Sequence, residues 1–300
     1  MKVEQLYTNC LSEAAYFIES DGEVAIIDPL RDYDHYIELA KQHGSKVKYI
    51  FETHFHADFV SGHLDLSKHT GAPIIYGPET VTKLPVTIAT DGERFKIGKI
   101  EIEVLHTPGH TPESSCYLLH DESGNPYCIF TGDTLFVGDV GRPDLFGSNI
   151  SKEELASRLY DSMQRLKQLP DEVIVYPAHG PGSACGKNLG RETWSTIGIQ
   201  KKMNYAMRDQ SRDEFIKAIT DGLTQPPQYF PLNARINREG YDPIDEVMNR
   251  SMRALSIEDF EHEMKADHTI IVDTRHEHKF EKGFIPGSIF IGLHGRFAEW

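Results

Sequence analysis

The chain has 300 residues, 39% hydrophobic and 26% charged, an ordinary soluble composition with room for one large domain or two smaller ones. Its net charge of −15 argues against nucleic acid as a partner, while an anionic small substrate fits if arginine and lysine gather locally. Apolar runs such as 24–27 and 270–272 are too short to span a membrane. The start MKVEQLYTNC carries no secretion signal, and four cysteines without paired spacing read as free thiols of a cytoplasmic protein.

Strand and helix signals alternate over the first two-thirds. EVAIID (23–28) is an apolar, β-branched strand, and DHYIELAKQHG (34–44) a helix opened by Asp and closed by Gly. VKYIFETH (47–54) is a strand, GHLDLSKHTG (62–71) a short helix and PIIYG (73–77) a strand. The segments 93–110 and 114–133 read as hairpins turning at Gly98-Lys99 and in a Ser/Gly/Asn stretch. Ser151 with Glu154 predicts a capped helix to about residue 168, followed by a strand in EVIVYPAHG (172–180). Helices are expected over 191–207 and 211–223, the latter with a second capping box, Ser211 and Glu214. From Thr224 four prolines without periodicity predict a linker, placed at 226–255. A new α/β pattern then begins: a helix at 256–268 and strands in TIIVDTR (269–275) and FIPGSIFIG (284–292).

Polar residues collect at strand exits. THFHADF supplies His54, His56 and Asp58; HTPGH supplies His106 and His110; TGD supplies Asp133; PAHG supplies His179. In layered α/β folds, ligands gather beyond the carboxyl ends of strands. Neutral imidazole suits zinc or iron, and carboxylate adds a harder, charged donor. Single histidines such as His35, His69 or His262 carry no such pattern and read as structural or surface residues.

Together, THFHADF, HTPGH, FTGD and YPAHG resemble the metallo-β-lactamase superfamily over residues 1–225, which implies an αβ/βα sandwich. Within it the chain most resembles persulfide dioxygenases fused to rhodanese, through Phe59 inside HADFVSGH and the stretch GDVGRPDL (138–145). VDTRHEHKFEKGFIPGSIFIG (272–292) resembles the start of a rhodanese domain, so 256–300 is expected to be an incomplete rhodanese-like segment. In two-metal members of the superfamily a histidine follows the motif aspartate; here Phe59 stands there and cannot coordinate. The resemblance implies one Fe(II) per chain held by His54, His110 and Asp133, with His56, Asp58 and His179 behind them orienting ligands and bound water. It implies oxidation of a low-molecular-weight thiol persulfide by O2 to sulfite and thiol, in sulfide detoxification. A homo-oligomer is expected, without nucleic-acid or membrane partners.

Four further residues are candidates on local grounds. Arg142 offers a guanidinium for substrate carboxylates, or an ion pair with Asp144. Tyr176 offers a hydroxyl to substrate, or packing. Cys185, in HGPGSACGKNLG (179–190), is either a reactive thiol whose pKa Lys187 lowers or a small buried hydrophobe; Lys187 is also a candidate for binding substrate. Two other functions compete. One is a glyoxalase II-type thioester hydrolase with a dinuclear zinc site, against which Phe59 counts. The other is a non-enzymatic persulfide-binding or sulfur-relay module.

Overall fold

The computed structural model describes residues 1–147, 150–294 and 297. Two compact units divide at Tyr241/Asp242: the first is Met1–Thr8 with Ser12–Tyr241, the second Asn9–Leu11 with Asp242–Trp300.

The first unit contains two six-stranded sheets. One runs β1 (Lys2–Thr8), β2 (Glu13–Ser20), β3 (Glu23–Ile27), β4 (Lys46–Phe51), β5 (Ile74–Tyr76), β6 (Thr87–Ile88), and its strands lie side by side in chain order. The first three are antiparallel and the rest parallel, which requires the crossovers α1 (Tyr33–Gln42) and α2 (His63–Thr70) between β3, β4 and β5. The second sheet contains β7 (Arg94–Ile97), β8 (Ile100–His106), β9 (Ser115–His120), β10 (Pro126–Gly132), β11 (Ile174–Pro177) and β12 (Ser195–Thr196). The helix α3 (Lys152–Leu166) crosses over between parallel β10 and β11, with α4 (Ile197–Met203), α5 (Arg212–Thr220) and α6 (Phe230–Glu239) following.

Period-two alternation divides the side chains between two cores. Val104, Tyr117, Leu119, Cys128 and Phe130 face the first sheet and meet Tyr16, Ile27, Phe51 and Ile75. Their neighbours Leu105, Leu118 and Ile129 face the other way and pack on Leu159 and Met163 of α3 and Phe215 of α5. The expected sandwich is therefore present. Ser151 accepts from Glu154 N at the start of α3, and the Ser211–Glu214 capping box opens α5.

Three expectations need correction. β1 and β2 had no sequence signal: β1 is half-buried along its whole length and β2 buried almost throughout, so neither alternates. The helix expected over 191–207 shortens to α4, because Thr196 caps a start at Ile197. The expected linker 226–255 is not one. α6 lies inside it and belongs to the first unit, and α7 (Ile244–Ser251) follows. Pro231 sits in the first turn of α6, where a missing N–H costs nothing, so proline density misleads there.

In the second unit α8 (Ile257–Glu263), β13 (Val272–Asp273), α9 (Glu277–Phe280) and β14 (Ile289–Phe290) follow, with β13 and β14 parallel. Ile257, Ile270, Phe284, Ile289 and Leu293 are exposed. Among the described residues no helix is long and apolar enough to cross a membrane.

Candidate metal centre

The loop leaving β4 is pinned before it reaches the donors. Asp28, at the end of β3, accepts from Thr53 N at 2.7 Å and from Thr53 Oγ1 at 2.8 Å. Since the Thr53 hydroxyl proton goes to Asp28, the 3.0 Å contact of Thr53 Oγ1 with His54 Nδ1 requires a proton on Nδ1. His110 Nδ1 likewise meets Arg142 O at 2.9 Å, and His179 Nδ1 meets Ser12 O at 3.0 Å. A carbonyl only accepts, so both Nδ1 atoms donate. The neutral form of each of the three imidazoles therefore carries its lone pair on Nε2.

Those three Nε2 atoms converge on one carboxylate. Asp133 Oδ2 lies 3.4 Å from His110 Nε2 and 3.9 Å from His54 Nε2, and Asp133 Oδ1 lies 3.4 Å from His179 Nε2. All four residues are buried. Both Asp133 oxygens, His54 Nε2 and His179 Nε2 lack a hydrogen-bond partner. Lone pairs aimed at a carboxylate repel unless a cation lies among them, so these residues fit a metal ion. Burial, with His56, His110 and His179 nearby, holds the His54 pKa well below the usual range, which keeps it a neutral donor.

Two donor groups result. His54, His110 and Asp133 form one; Asp58, His179 and Cys185 form the other, the donor atoms of each lying within 4.8 Å of one another. Glycine permits the close approach. A Cβ on Gly141 would stand 1.9 Å from Asp133 O and 3.1 Å from His110 Nδ1.

His56 belongs to neither; with Asp28 and Glu52 it forms a further buried group whose donor atoms lie within 4.8 Å of one another. Its Nε2 lies 3.1 Å from Asp28 Oδ1 and 3.5 Å from Glu52 Oε2, and Phe59 packs on its ring at 4.4 Å. Burial pulls the His56 pKa down, but the carboxylates of Asp28, Glu52 and Asp58 outweigh it and carry the pKa up to about 10. A histidine pKa raised on folding gives stability that is fully present below about pH 6.5 and is lost as pH rises through the folded value. We therefore expect the thermal midpoint of the metal-loaded protein to fall between pH 7 and about 10, and to fall less over that window in His56→Gln. Parallel melts of both proteins across the window check this; equal slopes would remove His56 from the account.

The substrate-facing assignments made from sequence do not survive. Arg142 is buried, with Nε and Nη2 each 2.8 Å from Asp144 and further contacts to Ala184 O and Thr224 O. That guanidinium is already engaged on all sides and ties down the Cys185 loop, whose Cys185 O accepts from Arg142 N at 3.0 Å. Tyr176 packs between the sheets on Phe130 and Tyr16. Lys187 Nζ donates to Ala218 O and Asp221 O at the end of α5 and does not activate Cys185. The Cys185 thiol is buried, and burial with the Asp58 and Asp133 carboxylates pushes its pKa well above the ordinary value, which is not the setting of an exposed reactive thiol.

Sequence reasoning missed two organisers. Asp139 Oδ2 accepts from Lys187 N at 2.7 Å and Asn188 N at 2.6 Å, and its Oδ1 from Tyr205 OH at 2.8 Å, anchoring the same loop. Asn237 of α6 donates to His56 O and Phe59 O, both at 2.8 Å, and accepts from Ser61 N at 2.9 Å. Its side chain thus clasps the metal-motif loop. Beside His110 a small cavity of about 40 Å³ is lined by Phe55, Ala57, Leu145, Phe146, Ala234 and Arg238. Glu113 lines it too, its Oε1 accepting from Phe55 N.

The family model described as "Metallo-beta-lactamase superfamily" matches residues 8–179, more than half of the chain. The chain belongs to the metallo-β-lactamase superfamily. Among curated relatives it is similar to glyoxylase B2 of Dictyostelium discoideum, 31% identical over 69% of this chain and 75% of that protein. It is also similar to a hydroxyacylglutathione hydrolase of Citrobacter koseri, 34% identical over 53% of this chain and 58% of that enzyme. A metallo-β-lactamase structure from Staphylococcus aureus subsp. aureus COL superposes with a TM-score of 0.83 at 32% identity, covering 99% of this chain and 86% of that one. ETHE1 from Myxococcus xanthus superposes at 0.68, 30% identical, covering 79% of this chain and 98% of that one. TTHA1623, solved in a di-iron-bound form, superposes at 0.51, 27% identical, covering 67% and 98%.

These relatives overturn the expected persulfide dioxygenase activity. Among the similar curated proteins are hydroxyacylglutathione hydrolases, from bacteria and, as probable ones, from fission yeast. The likeness to ETHE1 is one of structure. A sulfide-detoxifying role and the rhodanese assignment draw no support from them either. What holds is the metallo-β-lactamase family, with groups of side chains that could hold a metal ion.

Proposed function

We propose that the first unit is a metal-dependent hydrolase of glutathione thioesters, of the hydroxyacylglutathione class. The observation that carries this is the convergence of three Nε2 lone pairs on Asp133, in a chain whose curated relatives hydrolyse that substrate class. His54, His110 and Asp133 would hold a divalent transition metal, with Asp58 and His179 beside them. When bound, such an ion polarises a thioester carbonyl and activates water.

The protein's own groups supply orientation and proton handling. Asp58 lies 3.3 Å from His179 Nε2, and both its oxygens lack a hydrogen-bond partner, so Asp58 is placed to accept the proton of the attacking water. Phe55, Leu145 and Phe146 give the cavity beside His110 an apolar wall for the acyl-thioester stem. Arg238 supplies a cation for a glutathione carboxylate; its guanidinium meets Glu239 at 3.5 Å and is partly exposed.

The test is hydrolysis of a 2-hydroxyacyl thioester of glutathione by the full chain after metal loading. Glutathione release at an enzymatic rate supports the proposal, and its absence from fully loaded protein overturns it. Arg238→Ala should raise KM for that substrate roughly 10-fold or more, the loss of one charge-assisted hydrogen bond. Its kcat should stay within a few-fold, and a thioester lacking the glutathione carboxylates should show no change in KM. Equal effects on both substrates would place Arg238 outside substrate recognition.

A further inference from the structure

Phe59 leaves the second metal position of the loop motif without an imidazole, and its ring is spent on His56. The structure brings a different donor to that position. Cys185 lies more than a hundred residues further on, in the loop after β11, yet its sulfur joins Asp58 and His179 within 4.8 Å.

We propose that Cys185 is a metal ligand, and that Asp58, His179 and Cys185 form a second cation site of mixed oxygen, nitrogen and sulfur donors beside the one formed by His54, His110 and Asp133. The inference deepens the hydrolase reading, which it rests on for its chemistry but not for its geometry.

Four observations carry it. First, Asp58 Oδ1 and Oδ2 and His179 Nε2 are buried without hydrogen-bond partners, so the position holds unsatisfied donors apart from the sulfur. Second, His179 Nδ1 faces Ser12 O, which fixes the tautomer that offers Nε2. Third, Asp133 points one oxygen at each group, Oδ2 toward His110 and Oδ1 toward His179, the arrangement a carboxylate needs to bridge two cations. Fourth, the Cys185 backbone is held from several sides: its O by Arg142 N, its N by Ser183 Oγ, and the residues after it by Asp139. Cys185 also packs against Ala57, Phe136 and Phe230, and these apolar neighbours leave Asp58 and His179 as the polar donors that the sulfur joins.

The chemistry of the set is also selective. A thiolate with an imidazole and a carboxylate suits zinc, cobalt or ferrous iron and disfavours magnesium and calcium. The thiolate and the carboxylates of Asp58 and Asp133 bring three negative charges against the four positive charges of two divalent ions, leaving one for a hydroxide. On binding, the cation takes the place of the thiol proton, which leaves to solvent, and no electron is transferred.

The experiment is titration of the metal-free full chain with Co(II), read by metal analysis after desalting and by absorption. The wild type should retain about two equivalents and show an intense near-ultraviolet thiolate-to-cobalt band on filling the weaker site. Cys185→Ser should retain about one equivalent and lose that band while keeping the weaker visible absorption of the remaining ion. Asp58→Asn gives the second check, since it should lose the same equivalent without touching the thiol. Cys116→Ser, a buried thiol elsewhere in the second sheet, should leave the band in place. The proposal is overturned by a wild type that holds two ions without a thiolate band, by one that holds a single ion, or by an unchanged Cys185→Ser. None of these readouts uses turnover. A thiolate band in a protein that hydrolyses no thioester would sink the hydrolase reading and leave this site standing.

Discussion

Asp133→Asn is expected to empty the centre and lower kcat/KM by roughly 10³-fold or more, the largest effect of any single substitution in the chain. Asparagine keeps the volume and removes the charge. Three imidazoles would then face an amide in place of an anion, and both groups of donors lose the carboxylate beside them. The amide nitrogen would also donate to one of the Nε2 lone pairs, blocking it. Metal analysis and kinetics on the purified variant check the loss. A second readout separates this from simple damage to the fold. In metal-free wild type, Asp133 is a buried carboxylate without hydrogen-bond partners, so the metal-free variant should melt no lower than metal-free wild type. Added metal should raise the midpoint of wild type alone, because only a ligand that binds the folded state stabilises it. A variant that retains its metal, or that melts well below metal-free wild type, would mean that Asp133 is structural.

The donors were legible in the sequence because each sits where a strand ends. His54, His110, Asp133 and His179 follow β4, β8, β10 and β11 within a few residues, and local pattern alone locates strand ends. The sandwich itself was legible for the same reason, through alternation in β8, β9 and β10. What the sequence could not show is where side chains spend their hydrogen-bonding capacity. Arg142 looked available for a ligand, yet Asp144 and two carbonyls consume it. Lys187 looked like an activator of Cys185, yet its ammonium closes α5. Phe59 was rightly read as unable to coordinate. The further step, that the second position then lies a ligand short, left out Cys185, whose sulfur comes within 4.8 Å of Asp58 and His179 donor atoms from a loop that no local pattern connects with residue 59. The choice between two chemistries on one scaffold came from the relatives.

The part of the chain that sequence reading set aside as a linker should prove the most sensitive to substitution after the donors themselves. Asn237, on α6, is 1% exposed and makes three hydrogen bonds to a loop some 180 residues away. Replacing it by leucine keeps the bulk and leaves His56 O, Phe59 O and Ser61 N buried without partners. At about 1–3 kcal/mol for each stranded group, with partial relaxation, a loss of roughly 3–5 kcal/mol follows. That is a large fraction of the ~5–15 kcal/mol by which a domain is stable. Denaturant unfolding of the metal-free full chain measures it, with Arg235→Ala, an exposed site on the same helix, expected within about 0.5 kcal/mol of wild type. The clasp also lies between donors: His56 O and Phe59 O flank Asp58, two and five residues after His54. Loosening them should weaken metal binding about 10- to 100-fold, as loss of ligand-orienting contacts does elsewhere. Asn237→Asp discriminates further. Its carboxylate still accepts from Ser61 N but faces two carbonyls, so it should be destabilising at neutral pH and less so in acid, where a protonated oxygen can donate to one of them. An Asn237→Leu protein as stable and as metal-avid as Arg235→Ala would show that α6 covers the motif loop without holding it.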